Sequence, residues 1–172
     1  MPSHSLQDLS ETRKLIEAGR VLLLAGDERL LSQLPAGAWI GGTSANFMTA
    51  EGGQSREDIL FVSDITDIVG KAEVRAYSAE ALKGLAAHYP DNGFTVINVP
   101  GLSEIHGAFA KGAPDYEGVF NAPLFGWISG VAVEDIGKRA PKVFAGSGEP
   151  LGDRAAVMHV AAPDDKFVNI DI

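Results

Sequence analysis

Two short apolar runs, residues 21–24 (VLLL) and 38–40 (AWI), flank a single amphipathic segment, DERLLSQL. No other feature limits the fold of this chain as much. A short uninterrupted apolar run bounded by turn residues reads as a strand buried on both faces. Between the runs, Leu30, Leu31 and Leu34 fall at helical spacing. Asp27 stands where its carboxylate can accept the free amides of a first helical turn, and Pro35 and Gly37 stop the helix. A strand–helix–strand passage within one sheet makes the two strands parallel, with a right-handed crossover strongly favoured. The fold class is therefore α/β.

Upstream, Leu6, Leu9, Leu15 and Ile16 lie near one stripe of a helix that Ser5 or Ser10 caps and Gly19 ends. Downstream, DILFVSDI and KAEVRAY read as strands joined by a loop through residues 66–70. SAEALKGLAAHYP reads as a helix capped by Ser78 that buries Leu82, Leu85 and Ala86, and GFTVINVPG as a buried strand. Ser103 caps a short helix, SEIHGAFAKG, and LFGWISGVAV, PKVFAG, AAVMHVAAP and FVNIDI make the last third mostly strands and turns. The glycines of AGSGEP suit a hairpin turn. The reading is one domain over residues 1–172: an amino-terminal helix in 1–19, an α/β part in 20–110 and a strand-rich part in 111–172. Its sheet is expected to be mixed, parallel in the first part and more antiparallel later, with helices packed on it.

Charge and composition narrow the partners. Fourteen basic against 23 acidic residues leave a formal charge of −9. That charge repels polyanions at long range, so neither nucleic acid nor membrane is expected as a partner. Cysteine is absent, which removes disulfides, thiolate nucleophiles and cysteine-held metals. The polar start lacks the basic head and apolar centre of a signal peptide, and no apolar run is long enough to span a bilayer. A cytoplasmic location is the expectation.

The candidate ligand-binding stretch is AWIGGTSANFMTAEGG, residues 38–53. Gly41 and Gly42 permit unusual backbone angles and close approach of a ligand. Thr43, Ser44 and Asn46 supply short donors and acceptors, and Phe47 with Met48 an apolar wall. Ligands of open parallel sheets bind at the carboxyl ends of strands. Asp27 should arrive at that edge after the first strand, and residues 100–106, with Ser103 and His106, after FTVINV. All these residues are expected to line one pocket holding a small molecule. The competing reading of the glycines is an ordinary turn, with Phe47 and Met48 in the core.

Phosphate-binding glycine patterns are absent, and no histidine pair has metal-ligand spacing. His88 sits at a helix end, His159 alternates within a strand as a satisfied polar residue, and His4 lies near the terminus. A hydrolase or transferase could draw on Ser44 or Ser103 with His106 and Asp27, but the G-x-S-x-G elbow is missing, so no residue is assigned as catalytic. An oligomeric scaffold is a third reading, with Trp39, Phe47, Phe125 and Trp127 as its partner surface if exposed.

The segment from Arg20 to Gly101, with RVLLLAGDERLLSQLPAGAWIGGTSANFMTAEGG, DILFVSDI and FTVINVPG, resembles the amino-terminal half of the FIST sensory domain of bacterial signalling proteins. The landmarks LLAGDE, WIGGT, NGF, GW and PKVF are also similar to those of a set of uncharacterised bacterial proteins. The FIST resemblance implies a non-catalytic sensor of small ligands such as amino acids, and some FIST relatives bind haem and nitric oxide. This chain reads Ser44-Ala45-Asn46-Phe47 where that family has an Ala-Gly-Glu-like continuation. No cofactor is read from the residues themselves. A homo-oligomer or a signalling partner protein completes the expected set of partners.

Overall fold

The computed structural model describes residues 3–50 and 52–168. The chain opens with β1 (Ser3–Gln7) and α1 (Leu9–Glu17), followed by β2 (Leu22–Gly26), α2 (Glu28–Leu31) and β3 (Trp39–Thr43). β2 and β3 pair in parallel, as the crossover requires, and the Asp27 carboxylate accepts the backbone N–H of Arg29 at the start of α2, but α2 is one turn long and ends at Leu31, short of Leu34 and of Pro35. A hairpin of β4 (Asn46–Thr49) and β5 (Gly52–Ser55) leads into β6 (Leu60–Asp64). The remaining elements are β7 (Lys71–Tyr77), β8 (Gly93–Pro100), α3 (Glu104–Gly112), β9 (Leu124–Ser129), β10 (Val143–Ala145) and β11 (Ala155–Ala161).

The class is mixed α/β, with the strands in two main sheets and the β4–β5 hairpin as a third, two-stranded one. The first has the order β1-β6-β2-β3-β10 and the second β7-β11-β8-β9. Among the described residues β2–β3 and β8–β9 pair in parallel, and the other ladders are antiparallel. Strand alternation separates three cores. Leu22, Leu24, Trp39, Leu60, Val62 and Phe144 face Ile16 of α1 and Leu31 of α2. Ile40 and Val143 meet Val96, Met158 and Val160 between the sheets. Ile97, Val99, Ala155 and Val157 pack on the far side against Leu82, Leu85 and Ile105. The order is helix, sheet, sheet, helix. Trp39 anchors the first core at 0% exposure, stacks on Phe144 and donates its indole N–H to the Pro35 carbonyl at 2.9 Å.

Some local expectations change. Residues 3–7 form a strand, because Leu6 and His4 pair across to Phe61 and Ser63 of β6, and a single apolar residue, Leu6, cannot separate a period of 2 from one of 3.6. The helix begins only at Leu9, capped by Asp8 in place of Ser5 or Ser10. The segment after Ser78 is a 3-10 helix, Ala81–His88, broken at Gly84, with Leu82 and Leu85 buried and Ala86 half-buried. Of FVNIDI, residues 169–172 lie outside the described residues, and Phe167 and Val168 are not in a strand. AGSGEP does form the turn between β10 and Leu151, with Gly146 at φ +70°.

Candidate functional site

The carboxyl ends of the parallel strands do converge. The N–H of Gly130, just past β9, donates to the Thr43 carbonyl at the end of β3, and the Gly101 N–H donates to Ser129. The ends of β3, β9 and β8 are thus stitched side by side. That stitching separates the loops expected to share one pocket: the chain after β9 lies between them. Three distinct hollows result.

The first is a groove of about 760 Å³ bounded by Gly101, Ser103 and Glu104 on one side and by Lys138, Arg139 and Asp153 on the other. Ser103 caps α3: its hydroxyl donates to the Pro100 carbonyl and accepts the His106 backbone N–H at 3.2 Å. The His106 ring accepts the Leu102 N–H through Nδ1 at 3.3 Å. His106 therefore holds a strained turn, Leu102 having φ +59°, and its ring makes no hydrogen bond to a serine hydroxyl.

The second hollow, near Asp27, Thr43, Ser44 and Arg139, measures only about 10 Å³, room for one water at most. Asp27 is 5% exposed, accepts Arg29 Nε at 2.7 Å and Arg139 Nη2 at 2.9 Å, and is fully engaged within the protein. Burial alone would raise its pKa, but the hydrogen bonds from Arg29 and Arg139 outweigh it and hold the carboxyl below its ordinary range. Asp27→Ala removes both the cap of α2 and the anchor of Arg139. It should cost about 2 kcal/mol, read as a lower denaturant midpoint at unchanged slope, while Asp27→Asn, which can still cap, should cost less.

Gly41 and Gly42 lie inside β3, not in a loop, and neither has positive φ. Gly41 packs on Leu24 and Leu31, away from the sheet interface. A Cβ on Gly42 would stand 1.7 Å from Ser129 Oγ and 2.2 Å from Asn98 Nδ2. The close approach that this glycine allows is to the second sheet, where the buried Ser129 hydroxyl of β9 donates to Asn98 Oδ1 of β8 at 2.7 Å, and not to a ligand. Thr43 is likewise structural: its Oγ1 accepts the Lys142 N–H at 3.0 Å, tying β3 to the chain before β10.

The third hollow contains the rest of the candidate stretch. Ser44, Asn46, Phe47 and Met48 form one wall of a cleft of about 360 Å³. Opposite are Trp127 and Ile128 of β9, and the floor is Leu23, Ala25, Phe61 and Ser63. The floor follows from the register. Leu23 pairs with Ser63 and Ser63 with His4, while Ala25 pairs with Phe61 and Phe61 with Leu6, so these residues share the inner face of the first sheet. The second sheet packs over β3 and β10, leaving the β1–β6–β2 end of that face to the hairpin. Phe47 reaches down from the hairpin to stack on Phe61, with centroids 6.0 Å apart and planes 9° apart, and His4 stacks on Phe61 at 6.2 Å. His4 Nδ1 also lies 2.8 Å from Ser63 Oγ. Met48 and Ile128 form the exposed lips.

Of the residues singled out in the sequence, Ser44, Asn46 and Phe47 share the cleft, Asp27 and Thr43 lie beside it in the ion-pair hollow, and Ser103 lines the separate groove. Trp39 is fully buried and Phe47 nearly so, so neither offers a partner surface. Leu23, Phe61, Ser63 and Ile128 were not anticipated, and Trp127, singled out as a partner surface, lines the cleft instead. The alternation in LFVSD places Phe61 and Ser63 on one face, but which end of that face stays uncovered depends on how the sheets overlap. Among the described residues no group of three or more His, Asp or Glu is placed to hold a metal ion. Among the described residues no helix is long and apolar enough to cross a membrane.

The model of a family of unknown function, DUF6976, matches residues 7–172. No curated protein and no solved structure matches the chain.

Proposed function

We propose that this chain, which belongs to the family of unknown function DUF6976, is a non-catalytic module that binds or senses a small molecule. The observation that carries the reading is the cleft between β9 and the β4–β5 hairpin. Its volume falls in the range of small-molecule sites, its walls are mainly apolar and aromatic, and a few short polar groups can orient a guest. The resemblance of residues 20–101 to FIST sensory domains points the same way, toward bacterial signalling with the signal passed to a partner protein. The net charge of −9 favours neither nucleic acid nor an anionic membrane as that partner, and a chain without cysteine suits the reducing cytoplasm.

A thermal-shift screen of metabolites, run beside mass spectrometry of the same mixtures, tests the reading. A ligand at 100 times its Kd should add about 2.7 kcal/mol and raise the melting temperature by roughly 5–10 °C. Phe61→Ala, which removes the floor of the cleft, should abolish that shift, and no compound should be converted. Turnover by the parent protein, or stabilisation that persists in full in Phe61→Ala, contradicts the proposal.

A further inference from the structure

β9 is an edge strand: among the described residues β8 alone pairs with it. The Thr95 N–H donates to the Pro123 carbonyl and the Gly101 N–H to the Ser129 carbonyl, so the odd-numbered residues of this stretch turn their backbone groups toward β8. The N–H and C=O groups of Leu124, Gly126 and Ile128 therefore point outward, and Gly126 is itself exposed. Natural sheets usually guard such an edge with charges or proline. β7, at the opposite edge of the same sheet, carries Lys71, Glu73 and Arg75. β9 has no such guard. The chain from Gly118 to Val133 holds no charged residue, and Phe120, Phe125 and Ile128 stand 70%, 49% and 49% exposed.

We infer that a second copy of this chain pairs antiparallel with β9, joining the two four-stranded sheets across a two-fold axis at Gly126. Charge and register select a second copy. Two molecules of net charge −9 repel each other least where they meet through neutral surface, and β9 lies in such a stretch. A two-fold axis at Gly126 sets the two glycines opposite each other, Leu124 opposite Ile128 of the partner subunit, and Phe125 opposite Trp127 of the partner subunit. That register bonds the backbone groups of Leu124, Gly126 and Ile128, the ones β8 leaves free.

Sedimentation velocity and amide exchange by NMR, over one dilution series of the full chain, test the inference. The parent should sediment as a dimer when concentrated and approach the monomer on dilution. Exchange at Leu124, Gly126 and Ile128 should quicken by roughly 10-fold or more over the series, while Phe125 and Trp127, bonded to β8 in both states, hold steady. Ile128→Lys, which places a charge on the edge, should be monomeric, with fast exchange at Gly126. A parent that stays monomeric when concentrated overturns the inference. So does a dimer whose exchange at Leu124 and Gly126 ignores dilution, or a folded Ile128→Lys protein that remains dimeric. The dilution series needs no substitution, so it decides the matter even where the variant fails to fold.

Discussion

Gly42→Val should leave the protein unfolded, or destabilised by about 4 kcal/mol, in a purified sample compared with the parent by chemical denaturation. The position has no room. A Cβ alone would overlap Ser129 Oγ and Asn98 Nδ2, and Asn98 and Ser129 are 0% and 1% exposed. Overpacking of this kind typically costs about 1–3 kcal/mol, and forcing the Ser129–Asn98 hydrogen bond apart inside the core adds roughly 1–3 more. A domain with about 5–15 kcal/mol in total has little left after that loss. Clash and general strand weakness are separable by a double mutant. Ser129→Gly removes the nearest atoms, so Gly42→Ala should cost less in that background, with a coupling of about 1 kcal/mol or more. Strict additivity, or a Gly42→Val variant with the parent's midpoint, would show that the sheets do not meet at this point.

Between pH 7 and pH 4 the fold should lose about 3 kcal/mol through one group, His159. This residue sits in β11, 5% exposed, with Nε2 2.9 Å from the Tyr77 hydroxyl and Nδ1 2.9 Å from the Thr95 hydroxyl. Burial, assisted by the neighbouring charges of His88 and Arg75 and opposed by Glu73, lowers its pKa from 6.5 to about 4. The folded state therefore keeps the ring neutral where the unfolded chain takes up a proton. Stability from this source is complete above about pH 6.5 and is lost progressively as the pH falls toward about 4. Asp27 and Asp64 also have depressed values, but their contributions are lost only at still lower pH, below the ordinary carboxylate range. Denaturation midpoints measured across this interval should fall in the parent and stay nearly level in His159→Gln. A ring that titrates near 6.5 by NMR, or a parent profile as level as the variant's, would contradict the assignment.

Much of the fold was legible because its signals are local. The run LLLAG and the cap Asp27 determine β2 and the start of α2 without help from distant residues, whereas α2 ends at Leu31, before Leu34 and the breakers Pro35 and Gly37. Ser103 as the cap of α3 was readable for the same reason, as was His159 as a satisfied strand residue. What escaped reading is relational. Residues 3–7 become a strand only because β6 lies alongside them. The glycine pair looked like a ligand loop because close backbone approach was inferred without knowing what approaches, and at Gly42 it is the second sheet. The cleft is legible in half: Ser44, Asn46, Phe47 and Met48 are adjacent in sequence, whereas Phe61 and Trp127 join them only through sheet register and sheet overlap. His106 next to Ser103 invited a catalytic reading, and in the structure the two close the first turn of α3, Ser103 accepting the His106 N–H and His106 the Leu102 N–H.

The central claim is that a small molecule binds between β9 and the β4–β5 hairpin. Its most direct test is protein-observed NMR during titration with a library of neutral and charged one- and two-ring fragments. Resonances of the Met48 methyl, the Phe61 ring and the Trp127 ring should shift together and saturate with at least one fragment, while those of Ala79 and Ile105 in the larger groove stay fixed. Saturable shifts confined to Ala79, Ile105 and their neighbours, or no saturable shift at Phe61 and Trp127 with any fragment, would contradict it.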